Sequence, residues 1–231
     1  MHARRLASTP LTLVTAAGLT LGLFPVLTAC SQVDPESREQ VTELANEPEG
    51  FTPTADGEKL AFDEPAHVVT TSLSNGVPVY WDVTVHKPET LSPEQVEENI
   101  GQDPETIGSP PPERIRKYRC FPVTFTPRGD GLSRGQAPVS VSLPTLTPVD
   151  DNGTDANWVH QGDDRYCGTD RSRTVPAYIG DMRIGENYDA AVVTWEGEDD
   201  PGIVGTGVRL NTLPSPRNPS QPAQAINWAA K

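Results

Sequence analysis

The chain has 231 residues, with 18 Lys and Arg against 32 Asp and Glu, and so carries a formal net charge of −14 at pH 7. Such an acidic chain lacks the basic surface that a phosphate backbone requires, which excludes nucleic acid as the expected partner. Only 6% of the residues are aromatic and 24 are proline, a composition that argues against a large helical core.

The first thirty residues have the three parts of an export signal. Arg4 and Arg5 form a short positive region, and residues 6–29 that follow carry no charge. The stretch ends in Leu27-Thr28-Ala29-Cys30, which matches the lipobox: an apolar residue, two small residues and a cysteine. The sequence therefore predicts that residues 1–29 are a signal peptide, cleaved after the Cys30 thiol has received a diacylglyceryl group.

An uncleaved membrane-spanning helix is the alternative interpretation of the same stretch. Its 24 uncharged residues are long enough to cross a hydrocarbon layer of ~30 Å. Gly18, Gly22 and Pro25 interrupt such a helix, and Cys30 lies just after small residues, where a lipoprotein peptidase cuts. These features favour the lipoprotein.

Charge predicts how the mature chain is held at a membrane. Loss of residues 1–29 removes Arg4 and Arg5 only, which leaves 16 basic against 32 acidic side chains, a net charge of −16. An anionic membrane surface repels such a chain. Two acyl chains on Cys30 provide stable attachment without help from charge. The expected location is the extracytoplasmic face of the cell membrane, in the cell envelope.

The two remaining cysteines indicate a disulfide. In an exported chain, Cys120 and Cys167 are expected to pair with each other. Two free thiols are the alternative interpretation. A zinc site is disfavoured because neither cysteine has neighbouring ligands at zinc spacing, and no cofactor is indicated.

Composition divides the mature chain into three parts. Residues 30–57 are polar, acidic and interrupted by prolines, and are predicted to form a flexible tether. Residues 58–213 contain the recurring apolar segments and are predicted to form one domain, expected to be monomeric. Residues 214–231 begin with four closely spaced prolines and are predicted to be an extended tail.

Short strands dominate the predicted domain. Apolar and polar residues alternate over 77–85, and Asn75-Gly76 just before this segment favours a hairpin with a strand over 67–73. Further strands are predicted over 118–126, 139–143, 188–195 and 203–210, with a weaker candidate over 174–179. Within the strand 118–126, Pro122 predicts a bulge or a sheet edge.

One short helix is predicted. Ser92 is a candidate N-cap, Pro93 suits the first helical position and Gln95 lies three residues after the cap, so the helix should begin at Pro93 and end before Gly101. Seven or eight strands with a single short helix indicate an all-β fold, an antiparallel β-sandwich.

Several segments in this order resemble a known group of proteins. They are the hairpin that ends in WDVTV, the short acidic helix, the basic-aromatic strand of residues 116–120 and the turn of residues 149–153. Together they resemble the immunoglobulin-like domain of uncharacterised actinobacterial lipoproteins. The resemblance covers residues 58–213, and implies an immunoglobulin-like β-sandwich at the cell envelope with no catalytic residue. Pro122 and the polar segment after Cys167 depart from that group.

The candidate chemical sites have ordinary structural interpretations. Asp and Asn residues cluster at 150–157, but the spacing does not fit an EF-hand, and a hairpin turn uses the same residue types. Calcium in this loop stays an open alternative. The acidic run 196–200 is expected to be a solvated loop. His67, His86 and His160 belong to no recognisable metal or triad motif, and no nucleophile motif is present.

A partner-binding surface is the remaining candidate. Arg116, Tyr118 and Arg119 are predicted to form a basic-aromatic patch on an otherwise acidic protein; alternatively, the aromatic residues are core and the arginines are its rim. Long loops at 100–115 and 150–173 offer further contact surface. We therefore expect a non-catalytic binding module for an envelope protein or glycan, with a structural accessory subunit as the alternative, rather than an enzyme.

Overall fold

The computed structural model describes residues 47–73, 75–101, 114–132, 138–159, 163–213 and 223–230. The predicted signal peptide, Cys30 and the first part of the predicted tether lie outside these ranges. So do His160 and most of the predicted loop 100–115.

The described residues form nine strands in two sheets that pack face to face. In chain order they are β1 Lys59–Ala61, β2 Pro65–Thr71, β3 Pro78–Val85, β4 Glu89–Leu91, β5 Ile115–Asp130, β6 Thr145–Val149, β7 Tyr188–Gly197, β8 Gly207–Asn211 and β9 Ala225–Ala229. Sheet A has the order β1-β9-β8-β6; in sheet B the order is β2-β3-β5-β4, and β7 also pairs with β5. All the neighbouring strands run antiparallel except β1 and β9, which are parallel. The predicted β-sandwich is confirmed at this level.

The hairpin predicted from residues 67–85 is present. β2 and β3 pair antiparallel, and Gly76 in the connecting turn has φ of 75°, a conformation that glycine adopts without strain. Val79, Trp81 and Val83 of β3 are at most 1% exposed and face the core between the sheets. The alternation in the sequence therefore identified the buried face of this strand correctly.

The predicted helix is also confirmed. α1 spans Pro93–Ile100, and Ser92 and Gln95 form a reciprocal capping box in which each side chain accepts a hydrogen bond from the other's backbone N–H. Gly101 ends the helix with φ of 71°. A second helix, α2 Asp163–Tyr166, has only four residues and was not predicted.

The two helices cover one part of the outer face of sheet B. A small second core forms there, in which Val96 of α1 and Tyr166 of α2 pack with Tyr118 and Val193 of the sheet. Cys120 on β5 and Cys167 just after α2 lie beside it with their sulfur atoms 2.10 Å apart. The predicted cysteine pair is therefore at bonding distance, and it joins the helical cover to the central strand.

Pro122 forms neither a bulge nor a sheet edge. The pairing of β5 with β7 continues without a shift from Lys117 to Phe125. On its other side β5 changes partner from β3 to β4 at this point, and Pro122 O accepts a hydrogen bond from His86 N. Since the N and O of a strand residue point to the same side, the proline nitrogen faces the gap between β3 and β4.

Two predicted strands are wrong. Residues 139–143 form only a bridge from Ser140 to Tyr178, and the strand lies further on at β6. The candidate at 174–179 is irregular and is flanked by two short 3₁₀ turns. Val139 is nevertheless buried. The alternation of residues 139–143 therefore indicated a buried side chain correctly but did not indicate strand pairing.

Both predicted ends of the domain also differ from the structure. Residues 225–229, predicted as part of an extended tail, form β9 between β1 and β8, with Ile226 and Trp228 fully buried. In the predicted tether, Phe51 packs on Tyr80 with ring centroids 5.2 Å apart. The sequence did not reveal these contacts for two reasons. Both segments are rich in proline, and one or two apolar residues in a polar segment are too few to form a periodic pattern.

The sandwich has two distinct ends, which we name here. The hairpin end is where β2 turns into β3 and β8 finishes at Asn211. The cleft end is where β6 finishes at Val149 and β8 begins at Gly207.

Candidate functional site

A cleft of about 700 Å³ opens between the two sheets at the cleft end. It is lined by Ala61, Phe62, Lys87, Pro88, Arg119, Asp151, Thr206, Ala229 and Ala230. These residues come from six separate parts of the chain, which pairings such as those of β1 with β9 and of β4 with β5 bring together. The volume is in the range that small-molecule and peptide side-chain sites occupy.

The floor of the cleft is apolar. Phe62 is half-buried and packs against Phe121 of the core, with ring centroids 5.9 Å apart. Ala61, Ala229 and Pro88 add small apolar surfaces around it. An apolar group of a ligand that enters the cleft would therefore exchange water for carbon contacts.

Two cations stand in the wall of the cleft. Arg119 lies on the face of β5 that points between the sheets, and its Nη1 donates a hydrogen bond to Gly205 O at 3.0 Å. Lys87 is exposed on the segment between β3 and β4. Neither cation forms an ion pair with a carboxylate of the described residues. Their remaining N–H donors are thus free to receive an anionic group.

Asp151 is the acidic residue of this wall, and it is already engaged. Its carboxylate accepts a hydrogen bond from the Thr206 hydroxyl at 2.5 Å. This contact joins the turn after β6 to the start of β8 and fixes one rim of the cleft.

The predicted patch of Arg116, Tyr118 and Arg119 does not form a single surface. Tyr118 is 0% exposed and lies in the small core under the helices, so its prediction as a surface residue is wrong. Arg116 is exposed and pairs with Glu196. Arg119 points to the side of β5 opposite Tyr118 and lines the cleft. Strand alternation separates these two, since neighbours along a strand face opposite sides of the sheet, whereas Arg116 lies at the register shift between Ile115 and Lys117.

Glu196 is the main correction in the acidic run 196–200. It is 8% exposed and belongs to β7 rather than to a solvated loop. Besides Arg116, it pairs with Lys117 Nζ at 2.8 Å. Arg114 pairs with Asp199 at 3.0 Å beside a second, smaller cleft of about 340 Å³. The basic residues at the start of β5 are therefore largely neutralised, unlike Arg119.

The acidic loop at 150–157 has a turn geometry. The Asp150 carboxylate accepts hydrogen bonds from the backbone N–H groups of Thr154 at 2.7 Å and Asn152 at 2.9 Å. These bonds, chiefly that from Thr154, hold the pKa of Asp150 below its ordinary value. Asp155 binds Arg209 at 2.5 Å. The carboxylates thus serve the turn itself, which is what the hairpin interpretation predicts.

Three residues distant in sequence form an unexpected chain of hydrogen bonds on the outer face of sheet B. His86 Nδ1 lies 2.9 Å from Asp63 Oδ1, and His86 Nε2 lies 2.9 Å from Thr124 Oγ1. Carboxylate, imidazole and hydroxyl occur in this order in hydrolases. Here the His86 and Asp63 side chains are 39% and 51% exposed on an open sheet, so no low-dielectric site surrounds the hydroxyl. These two hydrogen bonds attach the β1–β2 turn to sheet B.

His67 makes a similar contact. Its Nδ1 lies 2.7 Å from Asp82 Oδ1, while the other oxygen of Asp82 lies 3.4 Å from Arg128. Within the described ranges, no group of three or more His, Cys, Asp or Glu side chains converges as a metal site. Those ranges also contain no helix of the length and apolarity needed to cross a membrane.

A scan against protein-family models, a search of curated proteins and a search of solved structures each found no match to this chain.

Proposed function

We propose that the protein is a lipid-anchored, non-catalytic binding module of the cell envelope, which captures a segment of a protein partner in the cleft between its two sheets. Export and anchoring rest on the lipobox that ends at Cys30. The binding role rests on one observation: the same cleft contains an apolar floor and two cations, Lys87 and Arg119, that lack a carboxylate partner in the described structure.

The chemistry of the cleft defines the partner segment. Phe62 and its neighbours suit an apolar side chain, while Arg119 and Lys87 suit a carboxylate close to it. Arg119 is already oriented by its bond to Gly205, so less side-chain freedom is lost when it binds an anion. A partner segment with an acidic residue or a chain-terminal carboxylate beside an apolar residue has these features.

The acidity of the rest of the molecule provides specificity. A mature chain with a net charge of −16 repels acidic proteins in general, while the cleft places two cations that lack a carboxylate partner in the described structure beside an apolar floor. Capture therefore depends on local fit and not on long-range attraction, which suits discrimination against unrelated acidic partners.

The experiment places a photo-crosslinking side chain at Pro88, in the rim of the cleft, and irradiates intact cells. We expect one dominant protein adduct. Its yield should fall about tenfold in Lys87→Gln and Arg119→Gln backgrounds, since each removes one charge-assisted contact. Lys59→Gln is the matched control, because Lys59 is an exposed lysine of β1 that does not line the cleft. Equal yields in all three backgrounds, or adducts to glycan only, would contradict the proposed partner.

Anchoring is tested separately. The native mature N-terminus should begin at a Cys30 that carries the mass of a diacylglyceryl group, with no residue from 1–29. Replacement of Cys30 by alanine should leave the protein uncleaved or release it from the membrane. A native protein with an unmodified segment 1–29 would contradict the anchor and leave the cleft experiment unaffected.

The fold assignment belongs to the same proposal: we infer an immunoglobulin-like variant of the sandwich. Equating β5 to β9 with strands B, C, E, F and G supports it, because β6, β8 and β9 then reproduce the C-F-G order and β5 and β7 the B-E pair. Two features depart from the pattern. The β2–β3 hairpin takes the place of strand A beside β5, and the disulfide joins β5 to the helical cover instead of joining the two sheets.

A further inference from the structure

The hairpin end of the sandwich exposes three leucines. Leu73, Leu143 and Leu213 are 64%, 44% and 66% exposed, and all three line one shallow depression of about 110 Å³. They come from the β2–β3 turn, the segment before β6 and the segment after β8. Scattered surface leucines are ordinary, but several around one depression mark a contact surface.

The lining of this depression carries no charge, in a chain of which 22% is charged: its residues are Thr70, Thr71, Leu73, Ser142, Leu143, Pro144, Thr145, Asn211, Thr212 and Leu213. Charged residues lie outside this lining, since Asp130 of β5 pairs with Val79, and Asp56 accepts a hydrogen bond from Ala225 N. The polar groups of the lining are mostly the hydroxyls and amides of residues such as Thr71, Ser142 and Asn211. An uncharged surface with exposed leucines is poorly matched to an acidic or basic protein and well matched to the interface of an electrically neutral lipid layer.

The described chain that precedes β1 lies on the β2–β3 hairpin. Going backwards from Thr54, whose N–H bonds His67 O, the chain reaches Phe51, which packs on Tyr80 beside Val69 of β2. Phe51 also packs edge-on against His67, with ring centroids 5.6 Å apart, so this segment is held against both strands of the hairpin. Sixteen residues lie between Cys30 and Glu47, the first described residue, and this segment spans at most about 60 Å when extended, so the hairpin end can reach the membrane in which Cys30 is anchored.

We propose that, with Cys30 held in the membrane by its lipid, the hairpin end docks on the bilayer and places Leu73, Leu143 and Leu213 in its interface. This inference rests on the lipid anchor of the proposed function. The cleft end then faces away from the membrane, where a partner can reach it. The leucines act as a second attachment beside the lipid. Because the tether keeps the domain close to the bilayer, the effective concentration of the leucines at the membrane surface is high, and even a weak contact contributes to binding.

The test measures how strongly the leucines assist a deliberately weak anchor. The mature chain from Cys30 is coupled through that thiol to one maleimide-linked acyl chain, which by itself gives only marginal membrane binding. Of the three cysteines, Cys120 and Cys167 are joined to each other and do not compete for the reagent. Partition into phosphatidylcholine vesicles is measured by co-sedimentation.

We expect the Leu73→Asp, Leu213→Asp double variant to partition at least about tenfold more weakly than the unsubstituted conjugate. Ile203→Asp, a substitution of an apolar residue 42% exposed in the β7–β8 connection near the cleft end, should leave the partition unchanged. Adding anionic phosphatidylglycerol should weaken binding of every conjugate, since the chain is strongly acidic.

Equal partition of the double variant and the unsubstituted conjugate would overturn the docking while leaving the anchor intact, because the anchor is judged independently from the mass of the native N-terminus. Circular dichroism of each conjugate checks folding, and Leu213→Ser serves where the double variant does not fold. If the uncoupled chain dimerises and Leu213→Asp abolishes the dimer, the hairpin end is a contact between two copies, and the membrane docking is overturned.

Discussion

Among the residues that the structure describes, two tyrosine hydroxyls are buried without a hydrogen-bond partner. Tyr80 and Tyr118 are both 0% exposed, and the hydroxyl oxygen of each has no partner within those ranges. Strand alternation placed Tyr80 on the solvent side of β3, and Phe51 covers it there. Tyr118 lies under the helical cover, edge-on to Tyr166 at 5.9 Å. Each ring contributes apolar burial, while each hydroxyl carries a desolvation cost that nothing offsets.

We predict that Tyr80→Phe and Tyr118→Phe each raise the free energy of unfolding by about 1 kcal/mol, because only the unpaired hydroxyl is removed. Urea denaturation followed by circular dichroism measures this. Tyr188→Phe is the matched control: the Tyr188 hydroxyl accepts a hydrogen bond from Arg183 N at 2.9 Å, so its loss should be destabilising. If all three variants lose stability alike, the buried hydroxyls have partners after all.

The Tyr80 hydroxyl also makes the free energy of unfolding depend on pH in the alkaline range. Burial, with the Glu47 carboxylate adding to it, raises the pKa of Tyr80 from 10.0 to about 12. Above pH 10 the unfolded chain therefore releases this proton before the folded chain does. Stability from this group is complete below pH 10 and is lost as the pH rises toward 12. The alkaline loss should be smaller in Tyr80→Phe than in the unsubstituted protein.

At the scale of elements, the disulfide fastens the helical cover to sheet B. Cys120 and Cys167 are separated by 47 residues and flank the small core around Tyr118 and Val193. Replacing both by alanine should lower the free energy of unfolding by about 4 kcal/mol, from the loop-closure entropy returned to the unfolded chain. Guanidinium denaturation measures this, with Cys30→Ser as the control that should change nothing. Full labelling of two thiols in the folded Cys30→Ser chain would show that the pair is not joined.

Local signals identified the elements whose structure is decided locally. The capping box around Ser92 located α1, and the alternation of apolar residues located β3 and its buried face. β6 was missed because its sequence, which contains Pro148, resembles a loop. It becomes a strand through pairing with β8 at the sheet edge, where a proline is tolerated.

The candidate site divides in the same way. The sequence singled out Arg119 because a cation beside aromatic residues is a local signal. Phe62 and Lys87 carry no such signal, and they reach the cleft only through strand pairings that connect residues far apart in the chain. The hydrogen bonds of His86 to Asp63 and Thr124 are likewise long-range, and no motif or spacing in the sequence predicts them.

At the scale of the whole molecule, the two ends of the folded chain complete sheet A together. β1 pairs in parallel with β9, and Gly57 N donates a hydrogen bond to Ala225 O just before the pairing begins. Trp228 is fully buried between the sheets, and its Nε1 donates to Glu64 O at 2.8 Å. The sandwich therefore extends on both sides of the predicted 58–213 domain, and β9 separates β1 from β8 within the sheet.

We predict that a mature chain ending at Leu213 does not fold cooperatively. It lacks β9, so β1 loses its neighbour, β8 loses one of its two, and the core loses Ile226 and Trp228. In the full chain, Trp228→Ala should cost about 3–5 kcal/mol of the free energy of unfolding, as loss of a buried aromatic side chain does. Asn227→Ala changes the adjacent, half-buried side chain and should cost far less. Thermal and urea unfolding distinguish these variants; a chain ending at Leu213 that melts like the full chain would show that β9 is dispensable and that the domain does end near residue 213.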